Sequence, residues 1–262
     1  MLADQRNGGS RLQISTIKHR ALDLLYPPRC PLCERIVKFS GTACPSCRGR
    51  LRAVAEPTCE VCGRPLQPGT GPYCEDCLQI EHSFDRGVSA YRYEGEIVRA
   101  LYRLKYQNKR EYATFFAREA LRLCGGRLES WNVQAVMPVP IHKSRRRTRG
   151  YNQAEWIARP VAEALALRID VHSAVRIRAT RALKECGRRQ RRLLLEGAFL
   201  LREDMPDYET VLLVDDIYTT GATADALARQ LKRRGVLNVY LLTAAIGSGG
   251  ENSSCERMAE LL

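Results

Sequence analysis

The sequence predicts an α/β protein with a mainly parallel sheet, preceded by a small cysteine-rich module. Three observations carry that prediction. After about residue 81, apolar runs at 88–93, 135–139, 169–171, 211–214 and 238–245 alternate with stretches of helical periodicity, the pattern of strand-helix-strand units. Before residue 81 the chain has eight cysteines in four Cys-x-x-Cys pairs and few large apolar residues. Finally, Val211-Leu212-Leu213-Val214 is unbroken by polar residues, as suits a central parallel strand covered on both faces.

In chain order, residues 1–26 form a polar tail and a short helix. Ile14, Ile17, Ala21, Leu24 and Leu25 recur at helical spacing until Pro27-Pro28 stops the pattern. Lys18, His19 and Arg20 are a thin basis for membrane contact, so this helix is expected to dock on the body. No secretory leader and no bilayer-spanning apolar stretch are read, so the chain is expected in the cytoplasm with no membrane insertion. The 262 residues carry a net charge of +13, mostly from arginine. That balance favours phosphate-rich partners, whether nucleic acid, nucleotide or pyrophosphate.

Residues 27–80 hold the pairs Cys30/Cys33, Cys44/Cys47, Cys59/Cys62 and Cys74/Cys77. Two thiolates on a tight turn fill half of a tetrahedral Zn²⁺ shell, so four pairs make two closed, structural zinc sites in a double zinc-ribbon module. The short spacers suit sequential sites, Cys30, Cys33, Cys44 and Cys47 in one and Cys59, Cys62, Cys74 and Cys77 in the other; crossed pairing fits the spacing too. Zinc is expected to fold this segment, contributing about 10–16 kcal/mol. Cys124, Cys186 and Cys255 stand alone and read as small buried or incidental residues.

Residues 81–247 form the α/β domain and 248–262 a C-terminal tail. A strand at 88–93 is followed by helices at 96–106, ending at Lys105-Tyr106, and 111–123. A buried strand at 135–139 leads into the loop Pro140-Ile141-His142-Lys143-Ser144-Arg145-Arg146-Arg147-Thr148-Arg149-Gly150-Tyr151-Asn152-Gln153 and a helix to about residue 166. The run from Val211 ends in Asp215-Asp216 and the turn Ile217-Tyr218-Thr219-Thr220-Gly221-Ala222-Thr223, where a new helix begins. Loops at the carboxyl ends of such strands bind ligands. Gly221 permits a tight turn, and the threonine hydroxyls lie beside the unpaired N–H groups of the helix start, which suits a phosphate. The carboxylates suit paired hydroxyls, so a ribose 5-phosphate satisfies both halves. No Gly-Lys-Ser/Thr phosphate loop occurs.

The stretch Val211–Asp225 resembles the signature of type I phosphoribosyltransferases. Pro138, Pro140, His142, Arg145, Arg147, Arg149, Gly150, Tyr151, Asn152 and Gln153, with the cysteine pairs and Lys105-Tyr106, are similar to the ComF family, in which a zinc ribbon precedes a phosphoribosyltransferase domain. The resemblance implies a sheet of type I phosphoribosyltransferase type. It implies that Asp215 and Asp216, the catalytic pair, hold the ribose hydroxyls of phosphoribosyl pyrophosphate, and that Thr219, Thr220, Gly221, Ala222 and Thr223 hold its 5-phosphate. Arg145, Arg147 and Arg149 would hold the pyrophosphate, with Lys105 nearby and Mg²⁺ arriving with the ligand. Between Arg178 and Phe199 the family shows Gln-x-x-Leu and a later Arg-x-x-Asn, where this chain has Leu183, Cys186 and Leu194; that departure bears on the acceptor and on turnover. The alternative drawn from the same resemblance is a noncatalytic factor in natural transformation that handles single-stranded DNA beside a helicase.

Overall fold

In the computed structural model, which describes residues 26–179 and 195–249, five parallel strands form one sheet in the order β1-β7-β6-β2-β3: β1 (Arg86–Arg92), β2 (Ala135–Pro138), β3 (Arg168–Ile169), β6 (Thr210–Tyr218) and β7 (Asn238–Ile246). β4 (Ala174–Arg176) and β5 (Phe199–Leu201) pair antiparallel outside that sheet. The described helices are α1 (Pro45–Arg48), α2 (Glu75–Gln79), α3 (Gly95–Tyr106), α4 (Tyr112–Ser130), α5 (Lys143–Arg149), α6 (Gln153–Ala164) and α7 (Ala222–Arg233). The predicted helix at 12–25 and the positions Leu183, Cys186 and Leu194 lie outside the described residues.

The mainly parallel sheet matches the prediction, and its burial explains why the apolar run at Val211 had no alternation. Val211 and Leu213 face one core with α7, while Leu212 and Val214 face a second with α4 and α6, and all four are inaccessible to solvent. Successive side chains of a strand point to opposite faces, so a strand covered on both must be apolar throughout. β2 pairs with β6 in parallel, Pro138 opposite Val214. The segment 139–142 therefore leaves the sheet beside Asp215 and Asp216, while β6 runs on past the expected end at Val214, paired with β7 as far as Tyr218.

Three elements differ from expectation. The basic stretch after β2 is a helix, α5, capped by the His142 side chain, which accepts from Ser144 N, and ended by Gly150 at φ 78°. Helix α4 runs past Gly125-Gly126 to Ser130, carried on by buried Leu128 and by Trp131, whose ring stacks on Tyr240 at 4.4 Å. The pair β4–β5 was not predicted, since three residues per strand are too few to show a period.

The cysteine-rich module is a repeat. Cys30 N donates to Arg35 O and Cys59 N to Arg64 O, at 2.8 and 2.7 Å, and Val37 N to Pro28 O mirrors Leu66 N to Pro57 O. The module does not stand apart from the α/β domain. Cys30, Cys44 and Cys47 share a core with Leu104 and Phe116, and Cys59, Cys62 and Cys74 share one with Tyr218 and Leu227. A boundary at 80/81 therefore passes through both cores.

Candidate functional site

A cleft of about 510 Å³ opens at the carboxyl edge of the sheet, between the end of β6 and α5. Asp215 and Asp216 form its base, Thr219 and Thr223 one wall, and Arg145 and Arg149 the other, with Lys105 and Tyr106 at one end. Lys105 Nζ lies 3.0 Å from Asp216 Oδ2. Burial first, then the Asp216 charge, pushes the Asp215 carboxyl up to about 7, against the pull of Lys105 and Arg176. Asp215 also accepts from Asp216 N at 2.8 Å. The base thus offers acceptors, while cations stand around it.

Of the three predicted arginines, the structure brings two to the cleft. Arg145 and Arg149 lie on one face of α5, four residues apart, whereas Arg147 is exposed and does not line the cleft. A loop could have aimed all three inward, but at about 100° per residue a helix turns the side chain two positions on to the far side. On the opposite wall, Thr219 and Thr223 face the cleft, and Gly221 at φ 74° starts α7. Gly221 and Ala222 line a small void that Thr219 and Thr223 also border. Thr220 lines neither space, its hydroxyl lying 3.5 Å from Ala222 N. The first-turn N–H groups of α7 have no intrahelical acceptor, and the helix dipole adds positive potential there.

The residues after α5 act mainly as fixings. Tyr151 donates to the Leu104 carbonyl, beside Lys105. Asn152 donates to Val139 O at 3.0 Å and accepts from Ala154 N, capping α6. Gln153 Oε1 accepts from Arg149 at 3.0 Å, and the same guanidinium lies over the Tyr106 ring at 4.9 Å. Arg149 is thus held from two sides.

Sequence reasoning missed Arg176. It lines the cleft and an adjoining hollow of about 570 Å³ that also touches Val175 and Ile177 of β4 and its exit. Burial, with the Arg145 charge adding to it, lowers the Arg176 guanidinium to about 10. Its only sequence signal was one arginine in a short run of alternating polarity, too weak to single out.

The eight cysteines fall into the sequential sets, Cys30, Cys33, Cys44 and Cys47, and Cys59, Cys62, Cys74 and Cys77; within each, the sulfurs lie within 4.8 Å of one another. Four thiols at that spacing, with no other donor, fit a closed structural Zn²⁺ site. Among the described residues no other group of metal-ligating side chains comes together this way. No described helix is long and apolar enough to cross a membrane.

The double zinc ribbon domain matches residues 21–78. Over 208 residues, 76% of this chain and 87% of the relative, the chain is 30% identical to competence protein F of Haemophilus influenzae. It is 29% identical to the DNA utilization protein YhgH of Salmonella typhimurium over 222 residues, 83% of this chain and 96% of that protein. Competence protein ComFC of Bacillus subtilis is 28% identical over 206 residues, 76% of this chain and 82% of that protein.

Proposed function

The chain belongs to the ComF family, and on that premise we propose that its cleft binds phosphoribosyl pyrophosphate as the Mg²⁺ complex, in the service of DNA uptake or utilization. One observation carries this reading. Two adjacent carboxylates stand near the carboxyl end of the central strand, between a helix N-terminus with two threonines and a wall bearing Arg145 and Arg149. A ligand with a phosphate monoester at one end, vicinal hydroxyls in the middle and a second phosphate group at the other matches that order of donors and acceptors.

In this reading Asp215 and Asp216 accept from the ribose hydroxyls, the 219–223 loop holds the 5-phosphate, and Arg145, Arg149 and Lys105 face the pyrophosphate. Transfer would break the bond from C1 to the pyrophosphate oxygen and form one to an acceptor nucleophile, with charge stabilisation by the surrounding cations and no covalent intermediate on the protein. The adjoining hollow at Arg176 is the place such an acceptor would occupy. The testing experiment is calorimetric titration with phosphoribosyl pyrophosphate and Mg²⁺. Asp216→Asn should weaken binding about tenfold, since a charged acceptor is replaced by a neutral one. Arg147→Ala should leave affinity within about twofold, as expected for a screened surface charge, whereas Arg145→Ala should not. No binding by the wild type at millimolar ligand would end this reading.

The charge of +13 and the names of the relatives favour a second one, in which the protein handles single-stranded DNA without transfer chemistry. A steep fall of oligonucleotide affinity with salt, together with indifference to phosphoribosyl pyrophosphate, would favour it.

A further inference from the structure

The loop that forms one wall of the cleft is held from behind by the second zinc ribbon. Arg64, two residues after Cys62 and only 7% exposed, donates from Nη2 to the Thr219 carbonyl at 3.1 Å and from Nη1 to Asp76 Oδ2 at 2.5 Å. Asp76 lies between Cys74 and Cys77. One guanidinium thus spans from the second cysteine pair of the ribbon to the backbone of the loop. The neighbouring carbonyl, Tyr218 O, accepts from Gly247 N at 2.8 Å.

The residues that join ribbon and sheet add a second fixing. His82 Nδ1 is 2.8 Å from Asp225 Oδ2, Ser83 N donates to Asp225 Oδ1 at 2.9 Å, and His82 Nε2 lies 3.5 Å from the Tyr218 hydroxyl. A side chain at Gly221 would meet Tyr218 Oη at 2.7 Å and His82 Cε1 at 2.9 Å. Glycine is therefore demanded there by this packing as well as by its φ of 74°.

Holding the Thr219 carbonyl has a directional consequence. In a planar trans peptide the C=O and the following N–H point in opposite directions. A carbonyl turned toward the ribbon therefore turns the Thr220 N–H away from it, and sets the orientation of a peptide flanked by Thr219 and Thr223, which line the cleft. The cost of this arrangement argues against a role confined to the ribbon. Arg64 Nε is buried with no hydrogen-bond partner among the described residues, while Arg35, at the same place in the first ribbon, stays in solvent.

We propose that Arg64 is a positioning residue for the anion-binding loop, fixing the Thr219–Thr220 peptide and with it the loop whose Thr219 and Thr223 face the phosphate monoester of the ligand. This rests on the phosphoribosyl reading of the cleft, and the test separates the two. Arg64→Met and, as a control, Arg35→Met are compared with wild type in zinc content, in amide exchange of 217–223 without ligand, and in affinity for ribose 5-phosphate and for phosphoribosyl pyrophosphate with Mg²⁺. Arg64→Met should keep two zinc equivalents and raise exchange in the loop about tenfold. It should also weaken both ligands by the same factor, about tenfold, because both share the 5-phosphate. Arg35→Met should change none of these. Unchanged loop exchange together with unchanged ligand affinity in Arg64→Met would overturn the proposal, as would faster exchange confined to 57–80. If the loop loosens but the wild type binds neither ligand, the brace stands and the phosphoribosyl reading fails. Should Arg64→Met lose zinc, Arg64→Lys decides by the same measurements: its ammonium still pairs with Asp76 but cannot span to Thr219, so the loop should loosen with the ribbon intact.

Discussion

The two zinc ribbons share a backbone and differ in what they grip. In both, the residue after the second cysteine is left-handed, Glu34 at φ 63° and Gly63 at φ 71°. In the first ribbon that residue is half-buried and its carboxylate reaches Arg103 at 3.2 Å. In the second, a Cβ would collide with the Gly87 carbonyl of β1, and Gly87 N donates to Val61 O at 2.6 Å. The next residue diverges further, Arg35 exposed and Arg64 buried against Thr219. The cysteine spacing fixes the turn; the two residues after it decide what the turn holds.

What they hold are opposite parts of the cleft. Arg103 of α3 donates to the carbonyls of Pro31 and Leu32, and Arg50 pairs with Glu96 of the same helix at 3.1 Å. The first ribbon thus steadies the helix that carries Lys105 in its last turn. The second steadies the 219–221 loop.

Removing one zinc site at a time should break this symmetry most. Cys33→Ser with Cys44→Ser, and Cys62→Ser with Cys74→Ser, should each lower the metal content from two equivalents to one. Each site is worth about 10–16 kcal/mol of folding free energy, and its cysteines lie in a core shared with the α/β domain. Unfolding should therefore spread inward: amide exchange should rise chiefly in 95–106 for the first pair and in 218–233 for the second. Exchange rising only within 27–80 in both would show two independent appendages instead.

A smaller effect should differ in size between the two ribbons. Gly63→Ala introduces strain at a left-handed φ and a clash with β1, and should cost about 2–4 kcal/mol in urea denaturation. Glu34→Gly relieves the same backbone strain and loses one partly exposed ion pair, so its effect should stay within about 1 kcal/mol of zero. Equal losses would mean the two turns are equally embedded.

Much of this was legible in the sequence, for identifiable reasons. Eight cysteines in pairs named the ribbons, and the four-residue apolar run with its carboxylates named the central strand and the loop after it. What stayed hidden has physical causes. Helix α5 has no apolar residue and so no periodicity, which left Arg147 indistinguishable from Arg145 and Arg149. Arg176 sits in a three-residue strand. The Arg64–Thr219 bond spans 155 residues, and no local pattern encodes a partner at that distance; only the glycine at position 63, where the first ribbon has Glu34, hinted at a close neighbour.

The smallest expected effect sharpens the comparison by separating charge from shape. Asp215 is held up at about 7 by burial and by Asp216, with Lys105 pulling the other way. A carboxyl raised in the folded protein is protonated below that value, and a protonated oxygen is a poorer acceptor for ribose hydroxyls. Affinity for ribose 5-phosphate should therefore climb as pH rises through about 7 and level off above it. Asp215→Asn should remove that part of the profile and leave the part due to the ligand's own phosphate, which titrates near 6. Lys105→Met takes away a cation supplied by the helix that the first ribbon steadies, and should move the Asp215 midpoint upward by about one unit. Arg64→Met, which acts through the backbone of the loop, should lower affinity at every pH and leave the midpoint where it is. If Arg64→Met shifts the midpoint as far as Lys105→Met does, the second ribbon sets the electrostatics of the cleft as well as its shape, and the division of labour between the ribbons does not hold.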